Sequence, residues 1–197
     1  MKPLPYVWPY APVFWGVFVW AFVPEFRIIG RARRSVREAQ SPDAGSCRAI
    51  VVGMWIAFAA AFLLAGVPPL QFGPPARVPV FVVGSLLLGL GSLLRRHCWR
   101  MLGPSFTGDV QAHAQQQVVS RGAYAYVRHP GYTAGILMNA GVGLALGSWG
   151  STLVLVGVSL AVYSYRMTIE ERALLAAIGA PYREFMQTRK RLIPYVY

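Results

Sequence analysis

Long stretches without charged residues alternate with short basic segments along this chain. Residues 3–24, 49–76, 78–94 and 129–165 contain no Asp, Glu, Lys or Arg. A transmembrane helix needs roughly 17–25 apolar residues, so each stretch is long enough to cross a bilayer, and the last is too long for one span. The pattern therefore predicts an all-α integral membrane protein with about five transmembrane helices.

The last uncharged stretch contains a break that divides it into two helices. Residues 147–151 read Gly-Ser-Trp-Gly-Ser, a composition typical of a turn. We therefore predict a fourth helix over 132–146 and a fifth over 152–165. Both are at or below the length needed for crossing, so a re-entrant hairpin is the alternative to two full spans. The chain then has two parts, residues 1–98 with three transmembrane helices and residues 99–197 with the last two helices and further cytoplasmic helices.

Small and polar residues recur every four positions along the predicted fourth helix. Gly135, Asn139, Gly143 and Gly147 share this spacing, which places them on one slowly drifting face. Small residues at such a face allow close contact between membrane helices. We therefore expect this face to meet another helix.

The charged residues are few and mostly basic. The net charge is +12 although only 13% of residues are charged, about half the fraction of an ordinary soluble domain. Arginines cluster after the first, third and fifth predicted helices, leaving Lys2 and Arg77 on the other side. Because cytoplasmic loops carry the excess of Lys and Arg, we predict an outside N-terminus and a cytoplasmic C-terminus. Topology accounts for the charge, so the expected partner is the bilayer and not a nucleic acid. The expected location is a prokaryotic plasma membrane, or the endoplasmic reticulum if the protein is eukaryotic.

Candidate chemistry begins where the predicted fourth helix starts. Pro130 suits the first position of a helix, because its fixed φ is helical and its missing N–H is not needed there. The free N–H groups of a helix start attract anions, and Arg128 adds a planar two-pronged donor beside them. The segment predicts an anion site at the membrane face. The alternative is that Arg128 and His129 are interfacial anchors next to an aromatic belt of tyrosines.

Two adjacent acids follow the predicted fifth helix. Glu170 and Glu171 lie at the end of a helix where the macrodipole disfavours negative charge. A bound cation, an ammonium group or the arginines Arg128, Arg166 and Arg172 would compensate them. The alternative is a solvated charge cluster on a helix that continues into Leu174 and Leu175.

Four short motifs follow one another in the C-terminal half. They are Gly122-Ala123-Tyr124, Arg128-His129-Pro130-Gly131-Tyr132 with Gly135 nearby, Glu170-Glu171 with Tyr182, and Arg191-Leu192-Ile193-Pro194. In order and spacing, this region resembles the isoprenylcysteine carboxyl methyltransferases and their phospholipid methyltransferase relatives, of the small prokaryotic type. The resemblance covers residues 99–197. The chain departs from the family pattern at Ala123, where proline is usual, and at Gln116, where many relatives have histidine.

This resemblance implies S-adenosylmethionine as the cofactor, bound at a cytoplasmic C-terminal site without a metal. The cofactor carboxylate would lie near His129 and Pro130, while Glu170 or Glu171 would take the ammonium group. The implied catalytic residues are Arg128, which would orient an anionic acceptor, and Glu170. The implied cofactor-binding residues are Gln116, Val118, Val119, Gly122, Tyr124, His129, Pro130, Tyr132, Gly135, Glu170, Glu171 and Tyr182.

The implied reaction is methyl transfer to a lipid-like acceptor, first the carboxylate of an isoprenylated cysteine or an analogue. A carboxylate needs no base, whereas a lipid amine would require a glutamate or His129 to remove its proton. Methylation of a phospholipid, or of another small molecule at nitrogen or sulfur, is therefore an alternative.

A second alternative is an NADPH-dependent sterol-type reductase, because such enzymes share a similar Arg-His-Pro-x-Tyr region. They usually have Asn after the proline and Glu shortly after the tyrosine, where this chain has Gly131 and, nearby, Thr133 and Gly135. The pair Glu170-Glu171 favours the methyltransferase. A non-enzymatic scaffold or transporter subunit would have no cofactor site.

Overall fold

The architecture is helical throughout the described part of the chain. A computed structural model describes residues 1–38, 45–103 and 118–194, and in the first range the side chains as far as residue 27. No strand occurs in these ranges, so the all-α prediction is confirmed. The helices are α1 (Tyr10–Glu38), α2 (Ser46–Leu64), α3 (Arg77–Leu102), α4 (Pro130–Ala145), α5 (Trp149–Ile178) and α6 (Ala180–Thr188).

In the described part of the chain, three helical segments are long and apolar enough to cross a membrane. They are Ser46–Leu64, Pro74–Leu102 and Trp149–Ile178. The predicted count of five spans is therefore supported for three of them. Of the other two, α4 has 16 residues, a length of about 24 Å at 1.5 Å per residue, which is shorter than a hydrocarbon core of roughly 30 Å. Helix α1 has 29 residues and contains Pro24, and it is not among these three segments.

The predicted boundaries of the fifth helix were wrong at both ends. Helix α5 starts at Trp149, inside the predicted turn, because the Ser148 hydroxyl caps it by accepting from the Ser151 N–H at 3.1 Å. The chain reverses at Gly147, whose φ of +74° favours glycine. At the other end, α5 continues to Ile178 instead of ending at residue 165. Both glutamates therefore lie within the helix.

Close contacts hold α4 between α3 and α5. A Cβ atom on Gly84 of α3 would lie 2.6 Å from the Gly141 carbonyl oxygen of α4. On the opposite side of α4, the Asn139 amide donates to the Ser159 hydroxyl of α5 at 2.8 Å. Small residues therefore allow the backbones of the three helices to approach closely, as is common between membrane helices. The same helices bury the large core side chains Leu88, Met138 and Leu155.

The face predicted for helix contact is confirmed at three of its four positions. A Cβ atom on Gly135 would lie 2.8 Å from the Tyr163 hydroxyl, and one on Gly143 would lie 2.7 Å from the Thr152 backbone nitrogen. Asn139, between them, makes the hydrogen bond to α5. Gly147 follows the end of α4 and has open space around its Cβ position.

We expect Gly143→Leu to destabilise the protein by more than about 1–3 kcal/mol, the usual cost of overpacking, because even a methyl group there meets the backbone of α5. The measurement is the apparent melting temperature in detergent. Gly157→Leu is the matched control, since Gly157 on α5 has nothing within 4 Å of its Cβ position. Equal melting temperatures for the two variants would contradict the packing argument.

The helices run up and down, so their ends gather at two opposite sides of the bundle. At one end, the amino group of Met1 donates to the Gln71 side chain at 2.9 Å, and Phe72 N–H donates to Gly147 O at 2.9 Å. The opposite end, which we call the site end, contains the start of α4 and the Glu170-Glu171 segment of α5.

Candidate active site

The start of α4 is held by the C-terminal segment that follows α6. Pro130 is the first helical residue, as predicted. The two residues before it pair with the C-terminal segment in parallel fashion, because Arg128 N–H donates to Lys190 O at 2.8 Å and His129 N–H donates to Arg191 O at 3.0 Å. The segments that carry the second and last motifs therefore lie side by side.

Glu171 is buried among the side chains of two arginines and one histidine. One carboxylate oxygen accepts from Arg128 Nε at 3.0 Å and contacts His129 Nε2 at 3.1 Å, while the other accepts from Arg191 Nη2 at 2.6 Å. The residue is only 3% exposed. A buried carboxylate must be paired and hydrogen-bonded, and these contacts satisfy that requirement within the protein.

Arg128 joins α5 to the end of α6. In addition to its bond to Glu171, its Nη1 donates to the carbonyl oxygens of Met186 and Arg189, each at 2.7 Å. Carbonyl groups at a helix C-terminus lack intrahelical partners, and an arginine satisfies them well. The described contacts of Arg128 are thus made to protein groups, which differs from its predicted part in orienting an acceptor.

Glu170 has a different environment from its neighbour. It is half-buried, and its Oε2 accepts from the Tyr132 hydroxyl at 2.8 Å. The Tyr132 ring lies 5.0 Å from the Tyr163 ring and 5.6 Å from the His129 ring, between centroids. Among the described residues, this tyrosine provides the hydrogen bond that orients Glu170.

Two further tyrosines lie near the acids. Tyr124 and Tyr182 are buried, and burial raises the pKa of both phenols well above the ordinary value. The negative charge of Glu170 raises the pKa of each phenol further. Both hydroxyls therefore stay protonated near this carboxylate.

The predicted reason for charge compensation at the acids was wrong. Helix α5 runs to Ile178, so Glu171 lies about two turns before its end, whereas the macrodipole acts mainly within the last turn. Burial, not the dipole, makes compensation necessary. Of the arginines proposed for it, Arg128 pairs with Glu171, Arg166 is buried near Glu170 and donates to the Ser46 hydroxyl at 2.8 Å, and Arg172 is exposed.

The remaining predicted cofactor residues lie in the segment before α4, in α4 itself or outside the described residues. Val118 and Val119 are half-buried in the segment before the 3-10 turn Gly122–Ala125. A Cβ atom on Gly122 would lie 3.1 Å from His97 Nε2, so this turn lies against the end of α3. Gly135 contacts the Tyr163 ring and serves packing. Gln116 lies outside the described residues.

Three residues at the site end were not predicted as site residues. Arg191 was visible in the terminal motif but had no assigned partner. Glu25 and Arg95 form an ion pair between α1 and α3, and Arg95 Nη1 also donates to Gly131 O at 2.6 Å. The only sequence signal for this pair was a lone acid after the first uncharged stretch and an arginine after the third.

The sequence model of the phospholipid methyltransferase family matches residues 79–179, just over half of the 197 residues. The chain belongs to this family. The resemblance stated from the motifs is therefore confirmed. The matched range contains most of α3, all of α4 and the two glutamates, and it ends before Tyr182 and Arg191.

Individual relatives of this phospholipid methyltransferase family member match over a similar part of the chain. A Schizosaccharomyces pombe protein named protein-S-isoprenylcysteine O-methyltransferase is 32% identical over 111 residues, 55% of this chain and 47% of the relative. A japonica rice protein named as a probable enzyme of that kind is 28% identical over 119 residues, 59% of this chain and 62% of the relative. An Arabidopsis thaliana protein named protein-S-isoprenylcysteine O-methyltransferase B is 26% identical over 115 residues, 57% of this chain and 58% of the relative. The match thus spans about half to three-fifths of these relatives.

Proposed function

We propose that this protein binds S-adenosylmethionine at the site end and transfers its methyl group to a lipid-like acceptor, first the carboxylate of an isoprenylated cysteine. Membership of the family and the names of the relatives support the reaction class. The observation that carries the proposal is the unequal use of the two glutamates. Glu171 is paired with Arg128 and Arg191, whereas Glu170 accepts a hydrogen bond from the Tyr132 hydroxyl.

The donor set at Glu170 fits the amino-acid part of the cofactor. S-adenosylmethionine carries an ammonium group, and a half-buried carboxylate held by a tyrosine hydroxyl is a suitable acceptor for it. Glu171 is unsuitable because an ammonium group would have to displace Arg128, His129 or Arg191. We therefore assign the ammonium group to Glu170.

Fewer observations bear on the adenosine and carboxylate groups of the cofactor. Tyr124, Tyr132 and Tyr182 lie near Glu170 and offer both aromatic faces and hydroxyl donors to an adenosine moiety. The start of α4 was the predicted position of the cofactor carboxylate. There, the His129 ring contacts Glu171 and the His129 N–H is bonded to the C-terminal segment, so this N–H is already used within the protein.

The residues of the chain chiefly bind and align the reactants. When bound, the cofactor supplies a methyl group on a positively charged sulfur. In-line displacement needs a fixed geometry and exclusion of water more than it needs proton transfer. Tyr132 fixes Glu170, while Arg128 and Arg191 hold Glu171 and with it the C-terminal segment over the site end. A carboxylate acceptor fits this arrangement because it reacts without a base.

A methyl-transfer assay on purified protein tests this proposal. The acceptors are a prenylated-cysteine analogue, phosphatidylethanolamine and a small thiol, each with cofactor carrying a radiolabelled methyl group. We expect label on the prenylated cysteine that base releases as methanol, as an ester requires. Label on phosphatidylethanolamine that resists base would favour the amine alternative, which the family name supports.

Binding measurements separate the remaining alternatives. We expect S-adenosylhomocysteine to bind the purified protein and NADPH not to bind. Binding of NADPH alone would favour the reductase. Binding of neither, together with no methyl transfer to any acceptor, would favour a scaffold and contradict the proposal.

We further propose that the site end faces the cytoplasm, because the arginine-rich C-terminal parts of α1 and α3 belong to this end. In sealed vesicles, a membrane-impermeant thiol reagent should label Lys2→Cys from the outside and Tyr197→Cys from the cytoplasmic side. Both variants are made in a chain whose native cysteines, Cys47 and Cys98, are replaced by serine. Labelling of both positions from one side would contradict this topology.

A further inference from the structure

An ion pair connects α1 to α3 at the site end. Arg95 Nε donates to Glu25 Oε1, and Nη2 donates to Glu25 Oε2 at 3.0 Å. The two side chains are only 15% and 14% exposed. Glu25 lies outside residues 79–179, the range that the family model matches, so this contact is contributed by the N-terminal part of this chain.

The same guanidinium group reaches the first turn of α4. Arg95 Nη1 donates to the Gly131 carbonyl oxygen at 2.6 Å, and the guanidinium carbon lies 5.4 Å from the centre of the Trp99 ring. A planar guanidinium can bind a carboxylate along one edge and a carbonyl group on another, which a lysine ammonium cannot do with the same geometry. Glu25 therefore sets the direction in which Arg95 holds α4.

The held residue adjoins the tyrosine of the proposed cofactor site. Gly131 precedes Tyr132, whose hydroxyl orients Glu170 at 2.8 Å. A contiguous path of polar contacts and one peptide link thus runs from Glu25 on α1 through Arg95 and Gly131 to Tyr132 and Glu170. A shift of the first turn of α4 would move the tyrosine hydroxyl away from Glu170.

We propose that Glu25 and Arg95 are positioning residues for methyl transfer, and that α1 is thereby a functional part of the site. This inference rests on the proposed function. The pair holds the first turn of α4 so that Tyr132 meets Glu170, and it does this in addition to joining two helices.

A neighbouring contact between the same helices provides the control. Arg96 Nη2 donates to Trp20 O at 2.5 Å, and its guanidinium carbon lies 4.2 Å from the centre of the Trp20 ring. The other described hydrogen bond of Arg96 is to Ser92 within α3. Arg96→Gln therefore weakens the joint between α1 and α3 without removing a donor to α4.

The first test compares Arg95→Gln, Glu25→Gln and Arg96→Gln with the parent. Turnover of the prenylated-cysteine analogue is measured per folded molecule, together with affinity for S-adenosylhomocysteine and the apparent melting temperature. For Arg95→Gln we expect turnover to fall by about 10- to 100-fold, because a displacement of about 1 Å at a reacting site can cost that much. Cofactor affinity should fall with it. Glu25→Gln should show a smaller loss of both, and Arg96→Gln should keep both near the parent values.

The second test exchanges the charges in the double variant Glu25→Arg and Arg95→Glu. This exchange restores an ion pair between α1 and α3 but places a carboxylate beside the Gly131 carbonyl. We expect the melting temperature to recover relative to Arg95→Gln while turnover stays low.

Three results would overturn the inference. They are parental turnover in Arg95→Gln, recovery of turnover in the exchanged variant, and equal losses in the Arg95 and Arg96 variants, which would indicate packing alone. Each of them requires a parent that binds S-adenosylhomocysteine, so the proposed function stands in each case. A parent that neither binds it nor transfers methyl groups overturns the proposed function and this inference together.

Discussion

Glu171→Gln is expected to lower the free energy of unfolding by about 3 kcal/mol, the lower part of the range for breaking a buried ion pair. The amide keeps the shape of the side chain but removes the negative charge that pairs with Arg128 and Arg191. The pairing between the start of α4 and the C-terminal segment should loosen as a result. The measurement is denaturant-induced unfolding in detergent, followed by circular dichroism.

Glu184→Gln is the matched control for this prediction. Glu184 lies on α6 and is exposed, so the same chemical change there should leave the free energy of unfolding close to the parent value. Parental stability in Glu171→Gln would show that the three side chains around Glu171 do not depend on its charge. The structural part assigned to Arg128 would then be wrong as well.

Glu170→Gln is expected to weaken cofactor binding and to leave stability nearly unchanged. Loss of a charge-assisted hydrogen bond to the cofactor ammonium should cost about 1.5–3 kcal/mol, roughly 10- to 150-fold in affinity. Stability should hold because Glu170 is half-buried and is held by a neutral tyrosine. Isothermal titration with S-adenosylhomocysteine, which retains the ammonium group, measures the effect.

Two further variants make this prediction specific. Tyr132→Phe removes the hydroxyl that orients Glu170, so it should weaken binding in the same direction but less than Glu170→Gln. Glu171→Gln, measured on its folded fraction, should change affinity less than Glu170→Gln. Unchanged affinity in Glu170→Gln would remove this residue from the cofactor site.

The sequence alone was sufficient for the features that depend on local chemistry. Uncharged stretches of spanning length predicted the helices, because lipid tolerates neither unpaired charges nor unpaired backbone groups. Pro130 marked the start of α4, and the four-residue spacing through Gly135 and Gly143 indicated a packed face. The motif order identified the family. None of these conclusions requires knowledge of which distant residues meet.

The sequence pattern was misleading where the chain becomes charged, because a helix that ends there and a helix that continues can have the same composition. The end of the fifth helix was placed at residue 165 because charge begins there, but a helix continues through charged residues when partners compensate them. In α5 those partners come from Arg128, His129 and Arg191, which lie 20 or more residues away along the chain. Sequence spacing does not report such contacts.

Only the tertiary structure distinguished the two adjacent glutamates. Neighbours on a helix point about 100° apart, since a turn has 3.6 residues, so one can face buried cations while the other faces the tyrosines. Which glutamate faces which side depends on how α5 is rotated against α4 and the C-terminal segment. The same holds for Glu25 and Arg95, 70 residues apart, whose pairing arises because α1 packs against α3. The sequence thus determined which residue types occur and in what order, and helix packing decided which of them meet. The reason is that burial makes it necessary for a charge to be paired but does not select its partner.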